Sequence, residues 1–169
     1  MIFELIQTEE EYISDLNTLL NACNQLVASS HLNIISPVIR PVTLDDFSDR
    51  IFGSIKPILD WETTRLLIPL REKQAQQGPW ITNIGDIVLT WTRGCSTIYC
   101  HWAGEYLPAS SLLSEEAASN IRFERWLDVH IFFLHGADGS NCGPILHFDG
   151  FHFKLFCNVQ LAGFNASYW

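Results

Sequence analysis

From Ile2 onward the chain runs without a glycine or proline until Pro37. Within that stretch the apolar residues Ile2, Leu5, Ile6, Ile13, Leu16, Leu20 and Cys23 recur at the three-and-four spacing of one helix face. A second set, Glu4, Thr8, Glu11 and Asp15, keeps the same spacing with polar character and must point elsewhere. The pattern predicts a helix from about residue 2 to the high twenties, with one face to bury and another to show.

The pattern continues helically as far as residue 128. Ser29 to Pro41 reads as a loop from its Ser, Asn and Pro content. Thr43 is the expected cap of a second helix, with Asp46 supporting its first turn. Leu44, Phe47, Ile51 and Phe52 keep helical spacing until Gly53 interrupts. Pro57 suits the first turn of a third helix, which carries Ile58, Leu59, Trp61, Leu66, Leu67 and Leu70 and ends near Gly78. Pro69 should kink it. A fourth helix is expected over Trp80–Trp91, closed by Gly94, with shorter ones near 96–106 and 110–127. Helix after helix with short connections implies an all-α fold, an elongated helical bundle.

Composition removes several function classes. The 169 residues carry a formal net charge of −9, which offers no footprint for nucleic acid. The same balance disfavours docking on an anionic membrane through a basic face. The opening MIFELIQTEEEY is acidic where a signal peptide is basic, and no stretch is apolar enough to span a bilayer. Five irregularly spaced cysteines fit reduced thiols in the cytoplasm. There is no P-loop, no G-x-S-x-G and no H-E-x-x-H, so no direct small-molecule substrate is expected. His130, His135, His147 and His152 with Cys142 and Cys157 match no zinc spacing. Neither a metal nor a cofactor is expected. Trp61, Trp80, Trp91, Trp102 and Trp126 recur on expected helices and read as core.

Composition changes near residue 128. Beyond it only Asp138, Asp149 and Lys154 carry charge, and phenylalanine, histidine and glycine crowd in. The expected division is 1–128 as one helical domain and 129–169 as an unrelated aromatic-rich tail, irregular or made of short strands.

The residues Ile2, Glu4, Leu5, Thr8, Glu9, Tyr12, Asp15 and Leu16 resemble a helix pattern of the type I-x-E-L-x-x-T-E-x-x-Y-x-x-D-L. That pattern opens Dbl-homology domains, the exchange domains of the RhoGEF family. IFGSIKPILDWETTRLLIPLREKQ (51–74) is similar to the family's second block, with Ser54 where Asn is usual. IGDIVLTW, IYCHWAGEYLPASSLL and NIRFERWLD then look like its next helices in order. The family's third block, of K-P-x-Q-R-x-x-R-Y type, has no counterpart in 129–169, which contains no arginine and one lysine. The resemblance therefore implies an incomplete Dbl-homology domain, from a truncated gene or from a gene model that reads into an intron near Val129.

The resemblance implies a guanine nucleotide exchange factor for a Rho-family small GTPase, with no bond chemistry of its own. Such a factor stabilises the nucleotide-free GTPase through its switch regions, and meets the membrane only through the GTPase. Glu4 matches the family's switch I contact, and Thr8 and Glu11 extend the same stripe. A solvated helix face, with a Glu favoured by the helix dipole, is the plainer reading of that stripe from spacing alone. The alternative function is a non-catalytic helical fragment or protein-interaction module with little exchange activity.

Overall fold

The computed structural model describes residues 2–32, 36–78 and 80–134. The first helix, α1 (Ile2–Leu32), is followed by α2 (Pro41–Phe52) and α3 (Ile55–Glu62). A π-helical turn, Thr63–Leu67, joins α3 to α4 (Ile68–Gln77). Then come α5 (Gly85–Ser119) and α6 (Ile121–Leu134). The described residues contain no strand, and the fold is all-α. They lie within one compact unit, Met1–Leu134. No described helix is long and apolar enough to cross a membrane.

Two long helices organise the bundle. α1 packs on α2, α3, the π turn and α6, while α5 packs on α2, α3, the π turn and α6 from its own side. At one end Ile6, Leu66, Leu70 and Ile87 form a buried cluster, flanked by Ile2, Leu5, Leu67 and Trp91. Toward the other end Leu26, Leu44 and Phe123 are fully buried, and Phe47 meets Phe123 edge-on with ring centroids 5.2 Å apart. Removing such side chains from water stabilises the fold by about 1.5–3 kcal/mol each. The buried face of α1 is rotated from the expected stripe. Ile6, Tyr12, Leu16, Leu19 and Leu26 are buried, whereas Ile13, Leu20 and Cys23 are half-buried at its margin.

Several local expectations are corrected. Thr43 is not the cap of α2: Arg40 holds that position, Pro41 opens the helix, and the Thr43 hydroxyl donates back to Arg40 O at 3.1 Å. Proline at the first helical position costs nothing because its missing N–H would have had no partner. Glycine 94 does not close a helix; α5 runs through it and through Pro108 to Ser119. Trp61 explains Gly94, since a Cβ there would fall inside the contact distance of the Trp61 ring. Before Pro69, where a kink is expected, the helix widens into a π turn and then continues. Ile68 N–H donates to Thr63 O, five residues back, which relieves the clash a proline ring makes with the carbonyl four residues earlier. Trp80 is no core residue: it lies in the coil before α5 and is 83% exposed.

The junctions are closed by side chains. Asn120 caps α6, its Oδ1 accepting from Arg122 N at 3.1 Å and Phe123 N at 3.3 Å. Its amide donates to Val38 O and to Glu116 Oε1, both at 2.7 Å, tying α5, α6 and the 36–40 segment together. Ser30, fully buried, accepts from Ile39 N at 3.2 Å and fixes the same segment to α1. α6 continues beyond the compositional break at residue 128 as far as Leu134. The tail expected to be irregular or short-stranded falls, from residue 135, outside the described residues.

Candidate functional site

Residues 4, 8 and 11 are separated by four and three positions, so at about 100° per residue they share one narrow strip of α1. Glu4, Thr8 and Glu11 are all exposed, and Phe3 beside them is 67% exposed. The expected stripe is therefore assembled on the outside of the helix. Glu4 lies in the first turn, where the partial positive charge of the helix N-terminus favours a carboxylate. The Thr8 hydroxyl is turned inward, donating to Glu4 O or Leu5 O at 3.0 Å. Its oxygen can still accept a hydrogen bond from a partner. Glu11 accepts from Gln7 Nε2 at 3.1 Å, which steadies its carboxylate without burying it. Asp15, the next residue of the stripe, is partly buried, and that burial together with the Glu11 charge raises its carboxyl above the ordinary range.

The strip is held from behind by polar groups. Arg71 of α4 donates from Nε to Glu10 Oε1 at 2.7 Å, and its Nη2 also contacts that oxygen. This pair is half-exposed, so it orients α1 and α4 while adding little stability. Deeper lies a polar cluster that the sequence reading did not single out. Glu62, at the end of α3, is 1% exposed. Trp91 Nε1 donates to its Oε2 at 2.7 Å, and Tyr99 OH donates to its Oε1 at 2.8 Å. Tyr12 OH stands 3.2 Å from Tyr99 OH and completes a chain from α1 through α5 to α3. Glu9 of α1 reaches the same place, and its Oε1 is buried without a donor.

Burial, then the Glu62 charge, then a hydrogen bond to Glu62 push the Glu9 carboxyl up to about 8. Burial also raises Glu62, while donation from Tyr99, Trp91 and Glu9 opposes that rise. The Trp91 indole and the Tyr99 phenol both aim at Glu62, an arrangement that favours the charged form of that carboxyl. Burial, with the charges of Glu62 and Glu9, raises the Tyr12 phenol, and burial, with Tyr12 and Glu62 beside it, raises the Tyr99 phenol. A signal for this cluster exists in the chain. Glu62 falls four residues after Ile58 and four before Leu66, on the buried stripe, and Glu9 falls three before Tyr12 on the buried side of α1.

The RhoGEF domain family matches residues 1–130. The chain belongs to that family. The RhoGEF match contains the whole exposed strip, the buried cluster and all but the last turn of α6. Rho1 guanine nucleotide exchange factor 3 of Schizosaccharomyces pombe (strain 972 / ATCC 24843) is similar to the chain, 31% identical over 126 residues. That alignment covers 75% of the chain and 10% of the relative, so the chain spans about a tenth of the relative's length. No solved structure matches. Among the described residues no group of His, Cys, Asp or Glu could hold a metal ion, and the RhoGEF helices carry Cys95 buried and Cys100 exposed rather than as a pair.

Proposed function

We propose that this RhoGEF domain binds a Rho-family small GTPase through the outer strip of α1 and promotes release of its nucleotide. The observation that carries this reading is the strip itself. Glu4, Thr8 and Glu11 stand exposed on a helix whose opposite side is fixed by Ile6, Tyr12 and Leu16, within the span that matches the family. A rigid support lets a carboxylate accept charge-assisted hydrogen bonds from switch-region N–H groups without an added ordering cost. Glu4 is the principal acceptor, with Thr8 and Glu11 extending the contact one and two turns along.

The mechanism needs no covalent step. If the domain holds the nucleotide-free GTPase more tightly than the loaded one, linkage requires it to weaken nucleotide binding by the same factor. Contacts to the switch regions act where Mg²⁺ and the phosphates are held, which is where nucleotide binding is weakened. The name of the yeast relative makes Rho1-type GTPases the first substrates to try.

Fluorescent-GDP release from a panel of Rho-family GTPases tests the reading directly. Acceleration by the chain that is lost on Glu4→Ala supports it. No acceleration with any member, together with no retention of nucleotide-free GTPase, refutes it and favours an interaction module without exchange activity.

A further inference from the structure

Two carboxyl groups meet in the interior of the bundle, one from α1 and one from the end of α3. Among the described residues, the ionisable groups that face them are Tyr12 from α1 and Cys95 and Tyr99 from α5, and none of these is a base. Two bare carboxylates in that setting would repel each other with no cation among these groups to offset them. Glu62 has two strong donors for one negative charge. Glu9 has none for its Oε1. A neutral Glu9 that donates to Glu62 satisfies both residues at once.

We propose that Glu9 and Glu62 hold a single proton between them, and that this proton latches α1 onto α3 and α5, so that the hold on α1 weakens as the proton is lost. The latch joins three helices through one chain of hydrogen bonds, Tyr12 to Tyr99 to Glu62 with Glu9 beside it. When α1 lifts away, Glu9 meets water, ionises in the ordinary carboxyl range and gives its proton to solvent. At neutral pH the latched form therefore binds one more proton than the opened form. Opening becomes about tenfold easier per pH unit while that difference persists. The dependence flattens near pH 8, where Glu9 ionises in the latched form as well. Glu4, Thr8 and Glu11 ride on the same turns of α1. If the exchange reading above is right, and this consequence rests on it, the binding strip becomes less well held as the surroundings turn alkaline.

The test uses the full chain and no GTPase. Amide hydrogen exchange of the Glu4–Tyr12 segment, corrected for intrinsic rate, is followed from about pH 6 to about pH 9. The chain labelled with ¹³C at glutamate carboxyls is titrated by NMR in parallel. Glu9→Gln serves as the comparison, because an amide still donates to Glu62 but cannot ionise. The latch predicts one carboxyl titrating far above the others in the native chain. It also predicts opening of α1 that climbs about tenfold per pH unit and then levels, against a flat profile in Glu9→Gln. All carboxyls titrating in the ordinary acid range would overturn it. So would an equal slope in the variant. Should Glu9→Gln fail to fold, the carboxyl titration of the native chain still decides. Neither readout depends on nucleotide exchange, so failure of the exchange reading would be seen separately.

Discussion

Alanine at Gly94 should destabilise the bundle, although helix propensity alone favours it. Gly94 lies inside α5, where replacing glycine by alanine ordinarily gains about 1 kcal/mol. Here the new methyl would enter the Trp61 ring. That ring cannot swing away freely. Its Nε1 donates to Trp91 O at 3.2 Å, and the Arg65 guanidinium sits over the ring, 5.4 Å from its centroid. Overpacking of this kind costs about 1–3 kcal/mol. Losing the indole hydrogen bond adds about 1 kcal/mol. Set against the propensity gain, the net loss is about 1–3 kcal/mol. Gly104 supplies the control on the same helix, since a Cβ there meets nothing within 4 Å. Gly104→Ala should stabilise by about 1 kcal/mol. Urea unfolding of both variants, read by circular dichroism, gives the two signs. A stabilised Gly94→Ala would refute the argument that Trp61 requires the glycine. A double variant with Trp61→Leu should recover much of the loss, because residues in contact do not add.

Other expectations are simpler to state. Phe123→Ala should cost about 3–5 kcal/mol in denaturant unfolding, because the ring is fully buried against Phe47 and Trp126. Asn120→Ala should cost about 1–2 kcal/mol, since it removes the cap of α6 and strands the Val38 carbonyl; a loss below about 0.5 kcal/mol would mean that water replaces it fully. Because Glu9 titrates higher when folded than when unfolded, its contribution to stability is complete below the unfolded value of 4.5 and is lost as pH rises to about 8. Thermal unfolding should show that decline over this window, by up to about 4–5 kcal/mol, and Glu9→Gln should flatten it. Glu4→Ala should lower the melting temperature only slightly, through the lost interaction with the helix N-terminus, while lowering GDP release about tenfold or more, as expected for losing one charge-assisted bond.

How far the chain could be read in advance varied with the physics involved. Helix class was legible because apolar spacing depends only on local geometry; α2 buries Leu44, Phe47 and Phe52 as the spacing implies, while α1 is a helix whose buried face is turned from the expected stripe. Junctions were not. Thr43 looks like a cap by type, yet Pro41 already starts the helix, and the choice between them depends on how the 36–40 segment is held by Ser30 and Asn120. Gly94 and Pro108 are usually breakers, but α5 is long enough and packed on enough neighbours to carry both. The exposed strip Glu4–Thr8–Glu11 could be placed from spacing, because exposure follows from the opposite face being apolar. The Glu9–Glu62 pair could not, since two acids 53 positions apart meet only through the packing of α1 on α3. A lone acid on a buried stripe was the trace each left.

The π turn at Thr63–Leu67 bears on how this segment tolerates change in length. A π turn closes over five residues where an α turn closes over four, so it behaves as a one-residue insertion absorbed into a continuous helix. Everything after it sits about 100° behind its place in an uninterrupted α-helix. Leu70 reaches the Ile6 and Ile87 cluster in this delayed phase. Deleting one residue from the turn would let an ordinary α-helix carry Leu70 and Arg71 to the places they hold now. Straightening the turn at unchanged length would instead rotate both away from α1 together, separating the apolar end of the bundle and the Glu10 contact in a single step. Homologous chains should therefore show one-residue differences in length at this segment, where an α turn one residue shorter serves the same packing.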